Sequence, residues 1–339
     1  MSNANQVDLQ AHVRNLLMAF VASRALQVAA ELGLADALAA GPKDRDALAR
    51  EVGADAEAMS RLIRALSGYG VFDELPDGRF VNTRGSEYLR TDVPGSLRAL
   101  ARMHFDPSLW QAWTGLEHSV RSGEPSFAYV HGSPMFDYLA THPESARRFD
   151  EGMTSASGVM NAALVEAYEW GRFATLVDVA GGAGSTIVAI LGANPGLRGV
   201  LFDLPHVIER GRDYVAQQGM AARCRTEAGS FFDSIPAGAD AYLLKHIIHD
   251  WDDEDCLRIL RTCSAAMPDR ATLLVCERLV PPGNEPGLAR IMDLVMLALT
   301  DGGRERTEQE FRGLFARAGL RLARVVPTRI DYAILVLTK

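Results

Sequence analysis

The sequence has few cysteines and no long apolar run. Its four cysteines, Cys224, Cys256, Cys263 and Cys276, form no C-x-x-C pair, which argues against a zinc ribbon or a disulfide framework. No apolar stretch reaches the roughly 18 residues that a membrane span requires. The polar residues 1–10 lack the pattern of a signal peptide. We therefore expect a cytoplasmic protein with reduced thiols and no membrane partner.

The sequence also lacks an excess of basic residues, since its 339 residues carry a net charge of −8. Residues 44–89 nevertheless predict two short helices and a hairpin at Asp77-Gly78, as in a winged helix. Residues 1–100 contain 11 Lys and Arg against 13 Asp and Glu, a poor match for nucleic acid. We interpret this region as a dimerisation unit, with the apolar helix His12–Gly33 packed on a second copy. Packing of that helix on its own domain is the open alternative.

The stretch Thr175–Pro205 predicts a cofactor-binding turn. An apolar strand (176–180) leads into Gly181-Gly182-Ala183-Gly184-Ser185, and a helix and a second strand follow, ending at Asp203. Glycines allow close approach of the backbone to a ligand, and a helix N-terminus offers free N–H groups. An acid at the tip of the second strand can bind ribose hydroxyls. The stretch therefore predicts an adenosine-containing cofactor in a doubly wound sheet.

The details of this turn disfavour a dinucleotide. Ile187 occupies the last position of the G-x-G-x-x-G fingerprint, where glycine or alanine is required. Asp178 inside the first strand suits a cofactor with a positively charged amino acid end.

Further strands are predicted at 224–228, 240–245 and 271–276. The last two, 321–326 and 332–337, are too close for a crossover helix and should pair antiparallel at one edge.

Four motifs then resemble one enzyme family. Residues 243–254, L-L-K-H-I-I-H-D-W-D-D-E, resemble the L-K-x-x-x-H-D-W-x-D-E motif of small-molecule O-methyltransferases. That family includes plant caffeate and flavonoid enzymes and bacterial antibiotic-tailoring enzymes. Residues 203–207 are similar to its D-L-P-x-V, Glu277 to the glutamate after strand five, and residues 302–307 to its G-G-x-E-R-T. The resemblance covers nearly the whole chain.

The resemblance implies a class I methyltransferase fold: an α/β, doubly wound, Rossmann-like sheet with an antiparallel final strand, preceded by a mainly α winged-helix dimerisation domain. The expected domains are a dimerisation domain (1–98), a helical linker contributing to the substrate pocket (99–170) and a catalytic domain (171–339). The implied reaction transfers a methyl group from S-adenosylmethionine to a phenolic hydroxyl of a secondary metabolite such as a polyketide or phenazine. S-adenosylhomocysteine is the product, no metal is expected, and a homodimer is implied.

The resemblance also implies roles for individual residues. His249 would be the general base, flanked by Glu277 and Glu305. The expected cofactor-binding residues are Asp178, Gly181, Gly182, Gly184, Asp203, Leu204, Ser230, Phe231 and Lys245. The expected substrate contacts are Met103, Phe149, Met153, Asp250, Met292 and Asp293.

Two positions depart from the family pattern. Ser230 stands where the family has an acid that contacts the adenine amino group, which predicts weaker cofactor binding. Ala180 replaces the first family glycine, and its methyl group fits if φ is negative. The alternatives are a family member with other chemistry such as hydroxylation, a winged-helix regulator with a ligand-sensing domain, and a nicotinamide dehydrogenase.

Overall fold

The computed structural model describes residues 8–339, which divide into two compact units. The first unit comprises the chain up to Trp110 together with His142–Ala156, and the second comprises Gln111–Thr141 and Ser157–Lys339. Helix α11 therefore contributes to both units. Its bounds are Pro143–Ala167.

The first unit is mainly helical and carries one short hairpin. Its helices are α1 (Leu9–Leu32), α2 (Leu34–Ala37), α3 (Arg45–Val52), α4 (Ala56–Ser67), α5 (Arg84–Glu87), α6 (Arg98–His104) and the start of α7 (Pro107–Ala112). The hairpin strands are β1 (Phe72–Glu74) and β2 (Phe80–Asn82). This is the helix–helix–hairpin order that the sequence predicts.

Local sequence signals explain these boundaries. The carboxylate of Asp44 accepts a hydrogen bond from N–H of Ala47 and thereby caps α3. The carboxylate of Asp55 accepts one from N–H of Ala58 and caps α4 in the same way. Gly53 ends α3 at φ +68, a left-handed conformation that favours glycine. The apolar faces of these helices then meet the buried rings of Phe72 and Phe80 in one core.

Helix α1 has a large exposed apolar surface within this unit. Only Gln27, Ala29 and Ala30 of α1 are fully buried. Its exposed large apolar residues are Leu9, Val13, Leu16, Leu17, Met18, Phe20 and Val21. Seven such residues on one helix exceed the scattered apolar exposure of an ordinary surface.

The second unit alternates strands and helices around a sheet. Its strands are β3 (Thr175–Val179), β4 (Arg198–Asp203), β5 (Cys224–Ala228), β6 (Ala241–Lys245), β7 (Thr272–Glu277), β8 (Arg321–Pro327) and β9 (Ala333–Thr338). Its helices are α8 (Leu116–Ser122), α9 (Ser126–His131), α10 (Met135–Thr141), α12 (Ser185–Ala193), α13 (Pro205–Gln217), α14 (Asp253–Ala266), α15 (Leu288–Leu299) and α16 (Glu308–Arg317). Short 3₁₀ turns occupy Trp113–Gly115, Trp170–Arg172 and Ile248–Asp250.

The sheet order is β5-β4-β3-β6-β7-β9-β8. Strands β3 to β7 are parallel, and β9 runs antiparallel to both β7 and β8. The predicted doubly wound sheet with an antiparallel edge is confirmed. The strand order reverses at β3 and β6, and such a switch point is where open α/β sheets bind ligands.

Two apolar cores flank the sheet. One gathers around Leu244, Leu260 and Phe311, and the other around Trp170, Ile187 and Leu201. All four cysteines are buried and free. Across residues 8–339, no helix combines the length and the apolar character needed to cross a bilayer.

Candidate active site

The glycine turn lies between β3 and α12 and has an open face. Gly182 and Gly184 have φ of +60° and +88°, which only glycine adopts readily. A Cβ at Gly181 would lie 2.6 Å from Oδ2 of Asp178, so a side chain would collide there. A Cβ at Gly182 would meet nothing within 4 Å. The turn therefore combines a tightly packed underside with free space above the backbone, as a cradle for a ligand requires.

Ala180 corrects one expectation. Its methyl group was expected to fit if φ of Ala180 is negative, but the observed φ is +55°. A left-handed conformation costs an L-residue with a Cβ about 1–2 kcal/mol. The turn following β3 therefore carries local backbone strain, which is typical of ligand-binding segments.

Asp178 and Lys245 form a buried pair of opposite charge beneath this turn. Asp178 is 1% exposed, and its Oδ2 has no hydrogen-bond partner. Burial raises the pKa of Asp178 to about 7, against the opposing charge of Lys245. Burial likewise lowers the pKa of Lys245, whose Nζ lies 3.5 Å from Oγ of Ser157. The unpartnered carboxylate oxygen fits a ligand with a cationic amino group, such as S-adenosylmethionine.

Asp203 ends β4 and connects the turn to the next strand. Its Oδ2 accepts a hydrogen bond from N–H of Gly182 at 2.8 Å, and its Oδ1 accepts one from N–H of Leu204 at 2.7 Å. Burial raises its pKa despite these two bonds. Because a carboxylate can accept about four hydrogen bonds, two sites remain for ribose hydroxyls.

The predicted adenine-contacting residues follow β5. Oγ of Ser230 accepts a hydrogen bond from N–H of Phe232 at 3.2 Å, so this side chain shapes its own loop. The ring of Phe231 packs edge-on against Phe232 and Trp251. Leu204 is 44% exposed. Their contacts with a cofactor stay a prediction.

His249 and two glutamates meet at the ends of β6 and β7. Nδ1 of His249 lies 3.2 Å from Oε1 of Glu305 and 3.5 Å from Oε2 of Glu277. Its Nε2 lies 3.5 Å from Oδ1 of Asp250. His249 is 6% exposed, and the side chains of both glutamates are fully buried. The three residues that the sequence singles out as catalytic are thus in direct contact.

Backbone hydrogen bonds hold this group in place. Oε1 of Glu277 accepts from N–H of Ile247 and Ile248, which fixes the start of the 3₁₀ turn. The G-G-x-E-R-T segment packs against the same turn, because N–H of Arg304 donates to the carbonyl of His249 at 2.8 Å. A Cβ at Gly303 would lie 2.6 Å from that carbonyl oxygen. The glycine therefore permits the approach that brings Glu305 to the imidazole.

The charges of this group perturb one another. Burial opposes a charge on His249, but the carboxylates of Glu277, Asp250 and Glu305 outweigh it and raise the His249 pKa to about 10. Burial raises the pKa of Glu277 to about 7, against the attraction of His249. Burial also raises the pKa of Asp250. The groups therefore titrate together, and His249 is far more basic than an unperturbed imidazole.

The structure also assembles a ligand set that the sequence spacing does not reveal. Potential metal-ligating atoms of His249, Glu277 and Glu305 all lie within 4.8 Å of one another. No such cluster is visible in the sequence, because the three residues are separated by 28 positions or more in the chain.

His246 forms the wall behind His249. Its ring centroid lies 5.1 Å from that of His249 and 4.8 Å from that of Tyr332. Burial, with the charges of Lys245, His249 and Arg278, lowers the His246 pKa well below its usual value. It adopts φ +58°. His246 thus packs as a neutral ring.

The predicted substrate residues lie in both units. In the first unit Met103 is buried on α6, where it contacts Gly152 of α11, and Phe149 and Met153 are half-buried on α11. In the second unit Met292 and Asp293 are half-buried on α15, and Oδ1 of Asp293 accepts a hydrogen bond from N–H of Glu305. Contact of these residues with a substrate stays a prediction.

Comparison with known families identifies the protein class. A family model described as the O-methyltransferase domain matches residues 113–321, and one described as the O-methyltransferase dimerisation domain matches residues 15–92. The chain belongs to the O-methyltransferase family. Family membership makes it an enzyme and excludes the regulator and dehydrogenase alternatives.

Similar proteins and structures agree with this family. A phenazine O-methyltransferase of Lysobacter antibioticus is 39% identical, with 96% of this chain and 95% of the relative covered. A mitomycin biosynthesis 6-O-methyltransferase of Streptomyces lavendulae is also 39% identical, with 93% and 90% covered. The structure of CalO1, a methyltransferase in calicheamicin biosynthesis in its SAH-bound form, has a TM-score of 0.88 and 35% identity, with 98% and 99% covered.

The sequence did not predict that polar residues of α11 lie near the glycine turn of this O-methyltransferase. Oδ1 of Asn161 accepts a hydrogen bond from Oγ1 of Thr186 at 2.9 Å, and its Nδ2 donates to Oγ of Ser185 at 3.3 Å. Ser157 lies one turn earlier and faces Lys245. Ser157 and Asn161 are both buried. Ser157 and Asn161 are four residues apart, so they lie on one face of the partly apolar helix α11. That spacing is the sequence signal that could have identified them.

Proposed function

We propose that this O-methyltransferase transfers a methyl group from S-adenosylmethionine to a phenolic hydroxyl of a small-molecule secondary metabolite, with His249 as the base. The observation that carries this proposal is the position of His249 at the switch-point edge of the sheet. Its Nδ1 faces two buried carboxylates, and its Nε2 faces the less buried Asp250.

The carboxylates assign the two nitrogens of His249 to different tasks. Because Glu277 and Glu305 both favour a proton on Nδ1, the neutral ring exposes its lone pair at Nε2. Nε2 is then the atom that accepts the phenolic proton. The resulting imidazolium is stabilised by the same carboxylates, which stay in place throughout.

The raised basicity of His249 suits a phenol. A phenol has a pKa of about 10, so transfer of its proton to an ordinary imidazole is uphill by about 5 kcal/mol. With the His249 pKa raised to about 10, transfer of the proton to the neutral ring is nearly balanced, but at pH 7 the free ring is protonated and must first release that proton, so turnover should rise with pH. An imidazolium–phenolate pair is therefore accessible without a metal-bound acceptor, and alignment of the acceptor oxygen supplies the rest of the rate enhancement.

The cofactor site is proposed around the glycine turn. Asp178 would hold the amino group, Asp203 the ribose hydroxyls, and Phe231 the adenine ring, with Lys245 beside them. When bound, S-adenosylmethionine supplies a methyl group activated by a positively charged sulfur. The open face of Gly182 and the unpartnered Oδ2 of Asp178 support this arrangement.

Titration calorimetry tests the cofactor half of the proposal. We expect S-adenosylmethionine and S-adenosylhomocysteine to bind and NADH, the control, to leave the heat signal unchanged. Asp203→Asn should weaken binding of both adenosyl compounds, whereas Asp213→Asn on the exposed face of α13 should not. Positive binding is followed by a screen of phenolic acceptors with mass detection of the methylated product. Binding of NADH alone would contradict the proposal.

We also propose that the enzyme is a homodimer joined through residues 1–98. The seven exposed apolar side chains of α1 support a second copy as the partner, since they lie in the segment matching the dimerisation domain or directly before it. The division into 1–98, 99–170 and 171–339 stays part of this proposal, as does a cytoplasmic location, which the free thiols favour.

Light scattering after gel filtration tests the dimer. Leu17→Glu on α1 should shift the mass from dimer to monomer, because a charge would be buried in the interface. Val120→Glu, at an equally exposed apolar position of α8, serves as the matched control. A wild-type monomer at micromolar concentration would overturn the proposal.

A further inference from the structure

Nδ1 of His249 faces two carboxylate oxygens at once. The distances are 3.2 Å to Oε1 of Glu305 and 3.5 Å to Oε2 of Glu277. A single N–H can be directed at only one of them, and a charge-assisted hydrogen bond is normally about 2.7–2.9 Å long. A proton on Nδ1 makes a long hydrogen bond to Oε1 of Glu305, and this leaves Oε2 of Glu277 without a donor.

The two separations at Nδ1 match those in the ligand shell of a small divalent ion. Zinc binds imidazole nitrogen and carboxylate oxygen at about 2.0–2.2 Å in tetrahedral geometry, which places neighbouring ligand atoms about 3.3 Å apart. The two distances at Nδ1 lie on either side of this value. The potential ligand atoms of His249, Glu277 and Glu305 all lie within 4.8 Å of one another.

Unpartnered atoms of the same group independently indicate a missing ligand. Oε2 of Glu277, which lies 3.5 Å from Nδ1, has no hydrogen-bond partner although its side chain is fully buried. Oε2 of Glu305 is likewise buried and without a hydrogen-bond partner. A buried carboxylate oxygen without a donor is destabilising, and a cation in contact with it removes that penalty.

When all three carboxylates are ionised, the charge balance favours a divalent ion over a proton. Asp250 lies 3.5 Å from Nε2, and the guanidinium of Arg278 lies 3.8 Å from Glu305. With three carboxylates, one arginine and a protonated imidazole, the group carries one excess negative charge. With a neutral imidazole and a divalent ion, the same side chains are neutral overall.

We propose that His249 Nδ1, Glu277 and Glu305 form an inhibitory site for a divalent transition-metal ion of the zinc class. The ion displaces the Nδ1 proton of the imidazolium into solvent, and the ring keeps its other proton on Nε2. Nε2 can no longer accept a proton from the acceptor, so metal binding blocks transfer rather than assisting it. Binding of the ion stands on the geometry alone, whereas the inhibition rests on the proposed function.

Metal binding is tested on the chelator-treated full-length enzyme without substrate. We expect equilibrium dialysis to find one zinc ion per chain at this site, and Co²⁺ to give visible absorption of a low-coordinate complex. His249→Ala and Glu305→Gln should each weaken zinc binding by about tenfold or more. Glu209→Gln, an exposed position on α13, is the matched control and should bind as the wild type does. Mg²⁺ should bind poorly, because it prefers octahedral oxygen ligands.

Two outcomes would overturn the site. One is no zinc bound by the wild type, and the other is equal zinc binding by the wild type and both variants, which would place the ion on the surface. Should Glu305→Gln fail to fold, as judged by circular dichroism, Glu277→Gln takes its place. The Co²⁺ spectrum of the wild type decides independently of all variants, since an octahedral spectrum contradicts a histidine and two carboxylates in tetrahedral geometry.

Inhibition is tested with an acceptor that the wild type methylates. Zinc should lower kcat in step with its occupancy, and a chelator should restore it. Zinc bound at the site without loss of turnover would overturn the inhibitory role while leaving the binding site standing. An enzyme that binds zinc but methylates no acceptor would instead count against the proposed function.

Discussion

At the glycine turn one buried carboxylate, Asp178, faces one buried cation, Lys245, whereas at the ends of β6 and β7 three carboxylates surround one imidazole. At the first site burial is the larger effect, and the pKa values of Asp178 and Lys245 both move towards the neutral forms. At the second site the summed carboxylates are stronger than burial, and the pKa of His249 rises. The number of opposing charges thus decides whether a buried group stays ionised.

This difference suits two different tasks. A site that holds one unsatisfied carboxylate oxygen beneath an open turn can bind a cationic ligand group. A site that holds a strongly basic imidazole can take a proton from a weak acid such as a phenol. The same sheet edge supports both, because β3 ends beneath the turn while β6 and β7 end beside His249.

Removal of the imidazole is expected to have the largest effect. His249→Ala should lower turnover at pH 7 by about 10²–10⁴-fold, because general base catalysis is lost. Affinity for S-adenosylmethionine should stay nearly unchanged, and turnover should recover partly at higher pH, where the phenol ionises. Steady-state kinetics and calorimetry measure both, with the exposed His142→Ala as control. Unchanged turnover would show that alignment alone drives transfer.

Removal of the carboxylate of Asp178 tests the site at the glycine turn. The pKa of Asp178 is raised from 3.8 to about 7 in the folded protein, so its contribution to stability is present below 3.8 and is lost as pH rises through 7. Asp178→Asn should remove this loss, which amounts to up to about 4 kcal/mol. Denaturant unfolding at pH 5 and pH 8 measures the part of the loss that falls between these values, about 3 kcal/mol. The variant should also bind S-adenosylmethionine more weakly; identical pH dependence in both proteins would contradict the buried, shifted carboxyl.

Removal of one of the three carboxylates sharpens the comparison. Glu277→Gln should lower the pKa of His249, since less negative charge opposes burial of the ring. The limb of the pH–kcat profile that follows deprotonation of His249 should then move to lower pH by about one unit or more. Glu209→Gln should leave the limb in place. A limb that does not move would mean that Glu277 acts through its backbone hydrogen bonds and not through its charge.

The smallest expected effect concerns the strained turn. Ala180→Gly should raise the free energy of unfolding by up to about 1 kcal/mol, because glycine relieves the left-handed strain while adding entropy to the unfolded chain. Ala183→Gly is the matched control in the same turn, where φ is not positive, and it should lower stability by about 0.4–1 kcal/mol. Chemical denaturation compares the two. Equal losses in both variants would contradict strain at Ala180.

Much of the fold could be predicted because the local signals agree with one another. The caps Asp44 and Asp55, the hairpin turn at Asp77-Gly78 and the apolar strands all act within a few residues. The short connection between β8 and β9 predicts their antiparallel pairing by length alone. Sequence patterns also identified His249, Glu277 and Glu305 as a set, through family resemblance rather than through their spacing.

Other properties of the site escaped prediction because they depend on residues distant in the chain. The positive φ of Ala180 belongs to a turn whose next residue, Gly181, packs on Leu201 and Asp178, and no local pattern encodes that packing. The basicity of His249 depends on three carboxylates brought within 3.5 Å. Ser157 and Asn161 on α11 were missed because only the packed sheet brings that helix to the glycine turn.

The sequence by itself determined the order of helices and strands, the glycine turn and the identity of the chemical groups, since these follow from local propensity and side-chain type. The tertiary structure decided what those groups are able to do. It buried Glu277 and Glu305 on the same nitrogen of His249, and left Oδ2 of Asp178 without a partner. The physical reason is that a charge acquires its strength from its surroundings: desolvation and neighbouring charges exist only once the chain has folded.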